Sequence, residues 1–301
     1  MTDAINSSER AIRATSRLKS TLARRDAVLM PGAPNALFAR VIEDLGFEAV
    51  YVTGAGIANM QFGVPDVGLT TLTEVAGVVS AIADVVGLPL IVDGDTGFGN
   101  PVNVGRTIQV LERAGAAGIQ LEDQVFPKKC GHFAGKDVIS TAEMVQKIRA
   151  AVDSRRDGDL QIIARTDARA IYGLDAAIER ANAFVEAGAD VIFIEAPTDE
   201  AELSRIPREV PAPHIANIVF GGLTPEIPNA KLKKFGFSGV LYANAALQAA
   251  LRSVRGVLSE LKATGSLAGV RDQLASFEER QAAVDKARFD ALEARYKVRA
   301  D

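Results

Sequence analysis

Eight short runs of β-branched and apolar residues, each turning polar at its end, recur along this chain of 301 residues. They are AVLMPG (27–32), EAVYVTG (48–54), LPLIVDGD (88–95), GIQLEDQ (118–124), LQIIARTD (160–167), DVIFIEA (190–196), PHIANI (213–218) and GVLYAN (239–244). Between them lie helical patterns such as LTEVAGVVSAIADVVG, VNVGRTIQVLERAGAAG and LDAAIERANAFVEAGAD, several closing on glycine. Strands alternating with helices of this length are joined by crossovers, so they lie parallel and the helices cover them. Eight repeats predict a (β/α)8 barrel of the TIM type, because a doubly wound sheet more often has fewer strands and a nucleotide fingerprint after the first. No such fingerprint follows the first run. GAGIAN (54–59) follows the second, lacks the third glycine of a dinucleotide motif, and reads as a loop of backbone N–H groups.

The whole chain, 1–301, reads as one barrel domain, and an apolar content of 48% suffices for a single large core. An N-terminal amphipathic helix is expected over 7–25, with Ile12, Leu18 and Leu22 inward. Residues 245–298 form a C-terminal helical extension, more helix than closing a barrel requires. Phe277, Val284, Phe289, Leu292 and Tyr296 share one helical stripe there, so the extension packs on its own barrel or reaches a neighbouring subunit.

Composition narrows the partner. With 34 basic and 38 acidic residues the net charge is −4, which gives no footprint for nucleic acid. A single cysteine precludes an internal disulfide, and Cys130 with only His132 and His214 cannot complete a four-ligand zinc site. The first 26 residues lack the apolar core of a secretory signal, and no uncharged stretch reaches membrane-spanning length. The expectation is a cytoplasmic protein acting on a small molecule.

In a barrel of this kind the active site gathers at the C-terminal strand ends. Those ends carry Asp93 and Asp95, Glu122 and Asp123, Arg165 and Asp167, Glu195 and Asn217, with Thr53 and Gly54 beside them. Each has a bland explanation: a strand-end Asp caps a following helix, and Arg165 with Asp167 makes a local ion pair. Together they place at least four carboxylates on one rim, where they repel one another unless a cation is present. Oxygen ligands supplemented by water and substrate suit Mg2+ or Mn2+ rather than zinc. Arg165 matches a substrate carboxylate with its planar fork, so the substrate is anionic. Metal and arginine together suit 2-oxo or 2-hydroxy acid chemistry.

The lone thiol sits in KKCGHFAGKDVIS (128–140). Cys130 is either a small buried residue, as free cysteines commonly are, or a proton donor whose pKa the neighbouring cations lower, in a loop able to close over substrate.

KKCGH, with VDGDTGFGN, QLEDQ, ARTDA, FIEAP and ANIV in that order, resembles the isocitrate lyase and phosphoenolpyruvate mutase superfamily from about Leu29 to Leu261. Within it the chain is most similar to the short-chain branch of 2-methylisocitrate lyases, 2,3-dimethylmalate lyases, petal death protein and carboxyphosphonoenolpyruvate mutases. The resemblance implies Asp93 as direct metal ligand, with Asp66, Asp95 and Glu122 holding metal-bound waters. It implies substrate contacts from Thr53, Gly54, Ala55, Gly131, Arg165, Glu195 and Asn217, and Cys130 as catalytic cysteine, tuned and oriented by His132 and the lysines. It also implies homodimers or homotetramers that swap C-terminal helices.

The implied reaction is carbon-carbon cleavage of a 2-hydroxy acid to pyruvate or glyoxylate, Cys130 protonating the departing carbanion. The group that removes the hydroxyl proton stays unassigned, with water near Asp66 or Glu122 a candidate. Methylisocitrate lyases tend to carry a serine and an arginine after the last strand, where this chain has Ala246 and Gln248. A malate bearing alkyl groups, such as 2,3-dimethylmalate, fits that loss better than a tricarboxylate. The rivals are a phosphonate mutase, an oxaloacetate decarboxylase, against which the cysteine motif counts, and a metal-binding scaffold without turnover.

Overall fold

The computed structural model of the chain describes residues 13–129, 131 and 135–298. Helix α1 (Ala14–Ala23) is followed by β1 (Val28–Ala33), α2 (Ala36–Asp44), β2 (Val50–Val52), α3 (Gly54–Gln61), α4 (Leu72–Ala83), β3 (Leu90–Asp93), α5 (Pro101–Arg113) and β4 (Ala116–Glu122). The second half runs α6 (Thr141–Ser154), β5 (Gln161–Thr166), α7 (Arg169–Tyr172), α8 (Leu174–Glu186), β6 (Val191–Ile194), α9 (Glu200–Glu209), β7 (Ile215–Asn217), α10 (Asn229–Phe235), β8 (Gly239–Tyr242) and α11 (Ala245–Thr264). A 3-10 turn (Ala268–Gln273), α12 (Phe277–Ala283) and α13 (Lys286–Tyr296) complete the order.

All eight strands are parallel in the order β6-β5-β4-β3-β2-β1-β8-β7. A single parallel bridge, Ile192 to His214, joins the two ends. The sheet therefore curls into a nearly closed (β/α)8 barrel whose thinnest seam lies between β6 and β7. Every run read from the sequence overlaps one of these strands; six enclose theirs, while β1 ends one residue beyond its run and β4 begins two residues before its run.

Strand parity divides the side chains. Val50, Val52, Val92, Ile119, Leu121, Ile162, Ile192 and Val240 pack outward beneath the helices. Met30, Tyr51, Ile91, Ile163, Val191, Phe193, Ile215 and Leu241 pack inward with Leu18 and Leu22 of α1, both fully buried. Helix α1 thus plugs the N-terminal mouth of the barrel. The start of the expected 7–25 helix, including Ile12, lies outside the described residues.

GAGIAN departs from expectation. It begins α3 rather than a loop, because Thr53 caps the helix, its hydroxyl accepting from the Gly56 amide. The C-terminal extension departs as well. Asp285, at φ +54°, breaks the expected single stripe into α12 and α13. Phe277, Val284, Phe289 and Tyr296 are exposed, and in α11 only Val257 is buried while Leu251, Val254 and Leu258 face outward. Among the described residues no helix is long and apolar enough to cross a membrane.

Candidate active site

The inward parity that fills the barrel with apolar side chains turns polar toward its C-terminal mouth. Two residues beyond Tyr51, Ile91, Ile163, Phe193 and Ile215 the same faces present Thr53, Asp93, Arg165, Glu195 and Asn217. They line a small cavity that Asp66, from the loop after α3, and Glu122, from the end of β4, also border. Ala55 and Gly131 of the predicted set border it too, whereas Gly54 and Asp95 are not among its lining residues. Larger grooves, about 840 and 680 Å3, run along α11, but among the described residues Arg252 and Arg255 are their only charged lining.

Arg165 is the hub of this mouth. Its Nε and Nη2 donate to the two oxygens of Asp167 at 2.9 and 3.2 Å. Its Nη1 lies 3.3 Å from Glu122 Oε2, and Nη2 lies 3.4 Å from Glu195 Oε2. Burial alone would lower its pKa, but Asp167, Glu122 and Glu195 hold it well above the usual guanidinium value. The local ion pair with Asp167 is thus real, and the same guanidinium also lines the cavity, stacked 5.2 Å above the Phe193 ring. Asn217 Nδ2 donates to Glu195 at 3.3 Å.

On the opposite side Lys128 is buried, its Nζ 2.5 Å from Asp66 and 2.8 Å from Asp95. Burial would lower its pKa, but Asp95, Asp93, Glu122 and Asp66 keep it well above the lysine norm. Burial pushes the Asp95 carboxyl up to about 6 despite Lys128, and it raises Glu122 well above the carboxylate range. Asp95 itself has φ +47°, a strained turn at the strand end.

The mouth therefore holds the carboxyl groups of Asp66, Asp93, Asp95, Glu122, Asp167 and Glu195 against the cations of Lys128, Lys129, Lys136 and Arg165. Glu122 Oε1 and Asn217 Oδ1 are buried with no hydrogen-bond partner among the described residues. A Cβ on Gly54 would lie 2.9 Å from Asp93 Oδ2 and 3.4 Å from Asp95 Oδ1, so these carboxylates share one narrow space under α3. Among the described residues no three His, Cys, Asp or Glu side chains converge tightly enough to enclose a metal ion. Such a set suits a hard divalent cation held through few direct bonds and several waters, the habit of Mg2+.

Asp123, read beside Glu122 in the sequence, does not join the mouth. Its carboxylate accepts from Thr166 Oγ1, the Asp167 amide and Arg180 Nε, tying β4 to β5 and α8. Cys130 and His132 lie outside the described residues. Gly131 between them is described: a Cβ there would fall 2.4 Å from Arg165 Nη2 and 2.8 Å from Glu195, so only glycine fits. Sequence reasoning missed Lys128 as a site residue in its own right, assigning it to the thiol. It also missed Lys136, which donates to Asp167 at 2.6 Å and to the Gly131 carbonyl. Tyr51 and Gln120 were missed too, although both stand two residues before a predicted site residue on the same strand face.

Comparison with known proteins identifies the family. Residues 18–262 carry the signature of the family described as phosphoenolpyruvate phosphomutase. The chain is 47% identical to a 2,3-dimethylmalate lyase of Eubacterium barkeri, over 87% of this chain and 91% of the relative. It is 46% identical to a 2-methylisocitrate lyase of Aeropyrum pernix, over 85% and 82%. Among solved structures it resembles 2,3-dimethylmalate lyase with a TM-score of 0.89 at 33% identity, covering 94% of this chain and 95% of that one. It also resembles phosphonopyruvate hydrolase solved with oxalate and Mg2+, with a TM-score of 0.85 at 31% identity over 95% and 99%. The chain belongs to the phosphoenolpyruvate mutase/isocitrate lyase superfamily and is a carbon-carbon lyase within it.

Proposed function

We propose that the chain cleaves a substituted 2-hydroxy acid, a dicarboxylate of the 2,3-dimethylmalate type or a tricarboxylate of the 2-methylisocitrate type, to pyruvate and a second carboxylate, in a Mg2+- or Mn2+-dependent reaction. The observation that carries this reading is the joint presence, in one buried cavity, of an acidic cluster and the Arg165 guanidinium. Asp93 would hold the cation directly, with Asp66, Asp95 and Glu122 holding its waters. When bound, that cation supplies Lewis acidity toward the substrate oxygens.

The chain's own groups then have distinct tasks. Arg165 and the Asn217 amide hold the carboxylate of the 2-oxo half, assisted by the Gly54 and Ala55 amides, which as first-turn groups of α3 have no acceptor within the helix. Water beside Asp66 or Glu122 takes the hydroxyl proton, the C2–C3 bond breaks and C2–O becomes a carbonyl. The electron pair passes to the departing carboxylate as an enolate, and the Cys130 thiol gives that carbon its proton, oriented by His132. Gly131, the chain neighbour of both, borders the same cavity. From 2,3-dimethylmalate the balanced products are pyruvate and propanoate.

Among the two substrate types the cavity favours the dicarboxylate. Among the described residues its cationic lining residues are Lys128, Lys129 and Arg165, and Lys128 and Arg165 are already engaged by carboxylates of the chain. Lys129 Nζ donates to the Gly135 carbonyl. The exposed apolar faces of α11 to α13 support the further proposal that C-terminal helices are exchanged between copies of the chain.

The test is pyruvate release from 2,3-dimethylmalate, 2-methylisocitrate and oxaloacetate, each with Mg2+ and with chelator. Metal-dependent pyruvate is expected from 2,3-dimethylmalate, with 2-methylisocitrate at least tenfold slower. Release from oxaloacetate alone would make the chain a decarboxylase. Silence on all three would shift the reading to phosphonate substrates.

A further inference from the structure

Tyr51, Asp93 and Gln120 stand on three adjacent strands, β2, β3 and β4, with Asp93 in register opposite Gln120. All three side chains are buried in the barrel interior, just below the polar mouth. Tyr51 Oη donates to Gln120 Oε1 at 2.9 Å. That bond engages the amide oxygen, so Gln120 Nε2 turns toward Asp93 and donates to Oδ1 at 3.4 Å. The Asp95 amide donates to the same oxygen at 3.1 Å. Asp93 Oδ1 is thus taken up by donors of the chain, while Oδ2 points into the space beneath Gly54, where a Cβ would lie 2.9 Å from it.

We infer that Gln120 and Tyr51 are positioning residues that fix the rotation of the Asp93 carboxylate, so that Oδ2 alone is presented to a divalent cation. The inference rests on the proposed role of Asp93 as the direct ligand. Outer partners of metal-binding side chains typically change affinity by about 10- to 100-fold when removed, because the freed ligand must be ordered again on binding. The hydrogen-bonded link from Tyr51 to Asp93 runs through the Gln120 amide, and so a positioning effect of Tyr51 must vanish when that amide is gone.

The experiment is a calorimetric titration with Mg2+ in the absence of substrate, repeated by Mn2+ electron paramagnetic resonance, on the full chain. Wild type, Tyr51→Phe, Gln120→Met and the double variant are compared. Gln120→Met is expected to bind about 10- to 100-fold more weakly. Tyr51→Phe should bind several-fold more weakly than wild type, and the double variant should match Gln120→Met. Wild-type binding with both single variants unchanged would overturn the positioning role while leaving the metal reading intact. A Tyr51→Phe effect that persists in full on the Gln120→Met background would also overturn it, since Tyr51 would then act by another route. If Gln120→Met does not fold, Tyr51→Phe decides the matter by itself, unchanged affinity counting against the proposal. A wild-type chain that binds neither ion would remove Asp93 as a ligand, and the inference with it.

Discussion

Replacing Arg165 by methionine perturbs the mouth of the barrel most severely. The guanidinium contacts Asp167, Glu122 and Glu195 at 2.9 to 3.4 Å, and these three carboxylates are at most 1% exposed. Methionine keeps much of the volume but leaves buried charges with fewer partners, Lys136 still serving Asp167. Breaking a buried pair by removing one partner costs about 3 to 5 kcal/mol, a large part of the roughly 5 to 15 kcal/mol that holds a domain folded. The sign of the pH dependence follows. Burial already raises the Glu122 carboxyl and Arg165 is the main influence opposing that rise, so in the variant Glu122 binds its proton still more readily in the native state than in the unfolded chain. The deficit is therefore relieved at low pH and grows as pH rises through the folded pKa. Urea unfolding at pH 5 and pH 8 reads this directly: the variant should lose about 3 to 5 kcal/mol at pH 8 and clearly less at pH 5. Arg165→Lys keeps the charge but not the fork, and should retain most of the stability while losing about 100-fold in kcat/KM, the worth of a charge-assisted pair of bonds to substrate. An Arg165→Met chain as stable as wild type at pH 8 would refute the view that these carboxylates depend on the guanidinium.

Gly131→Ala should lower activity by more than tenfold with little change in melting temperature, because its Cβ would meet Arg165 and Glu195 in the cavity; full activity would show that the loop backbone can retreat at no cost. His214 is fully buried against Phe237 and bonded to the Val210 carbonyl, and burial pulls its pKa down to about 4. Only the unfolded chain takes up its proton between pH 6.5 and 4, so up to about 3 kcal/mol of stability present above pH 6.5 is lost across that window. Unfolding of His214→Gln should lack that decline, and an identical pH slope would contradict the assignment. Truncation after Gly265 should lower the mass measured by light scattering, and an unaltered mass would end the exchanged-helix proposal.

The barrel was legible because its strands are short β-branched runs that turn polar at one end, and the site was legible for the same reason. Parity places Thr53, Asp93, Arg165, Glu195 and Asn217 on the inward face, where the core gives way to the cavity. The same parity also points to Tyr51 and Gln120, but reading only the strand tips passes over the layer beneath. Lys128 was harder, since adjacency in the chain suggested the thiol, whereas the loop turns this side chain back toward Asp66 and Asp95. Helix α3 was obscured by two glycines with poor helix propensity, and the Thr53 cap outweighs them. The break at Asp285 has no glycine or proline to announce it.

Proton NMR in D2O shows whether this mouth cleaves a substituted malate between C2 and C3 with a divalent cation. With 2,3-dimethylmalate and Mg2+, pyruvate and propanoate should form in equal amounts, with one deuterium at C2 of the propanoate, and no products should form with chelator. Equal turnover in chelator, or consumption of substrate without pyruvate, would contradict metal-dependent cleavage.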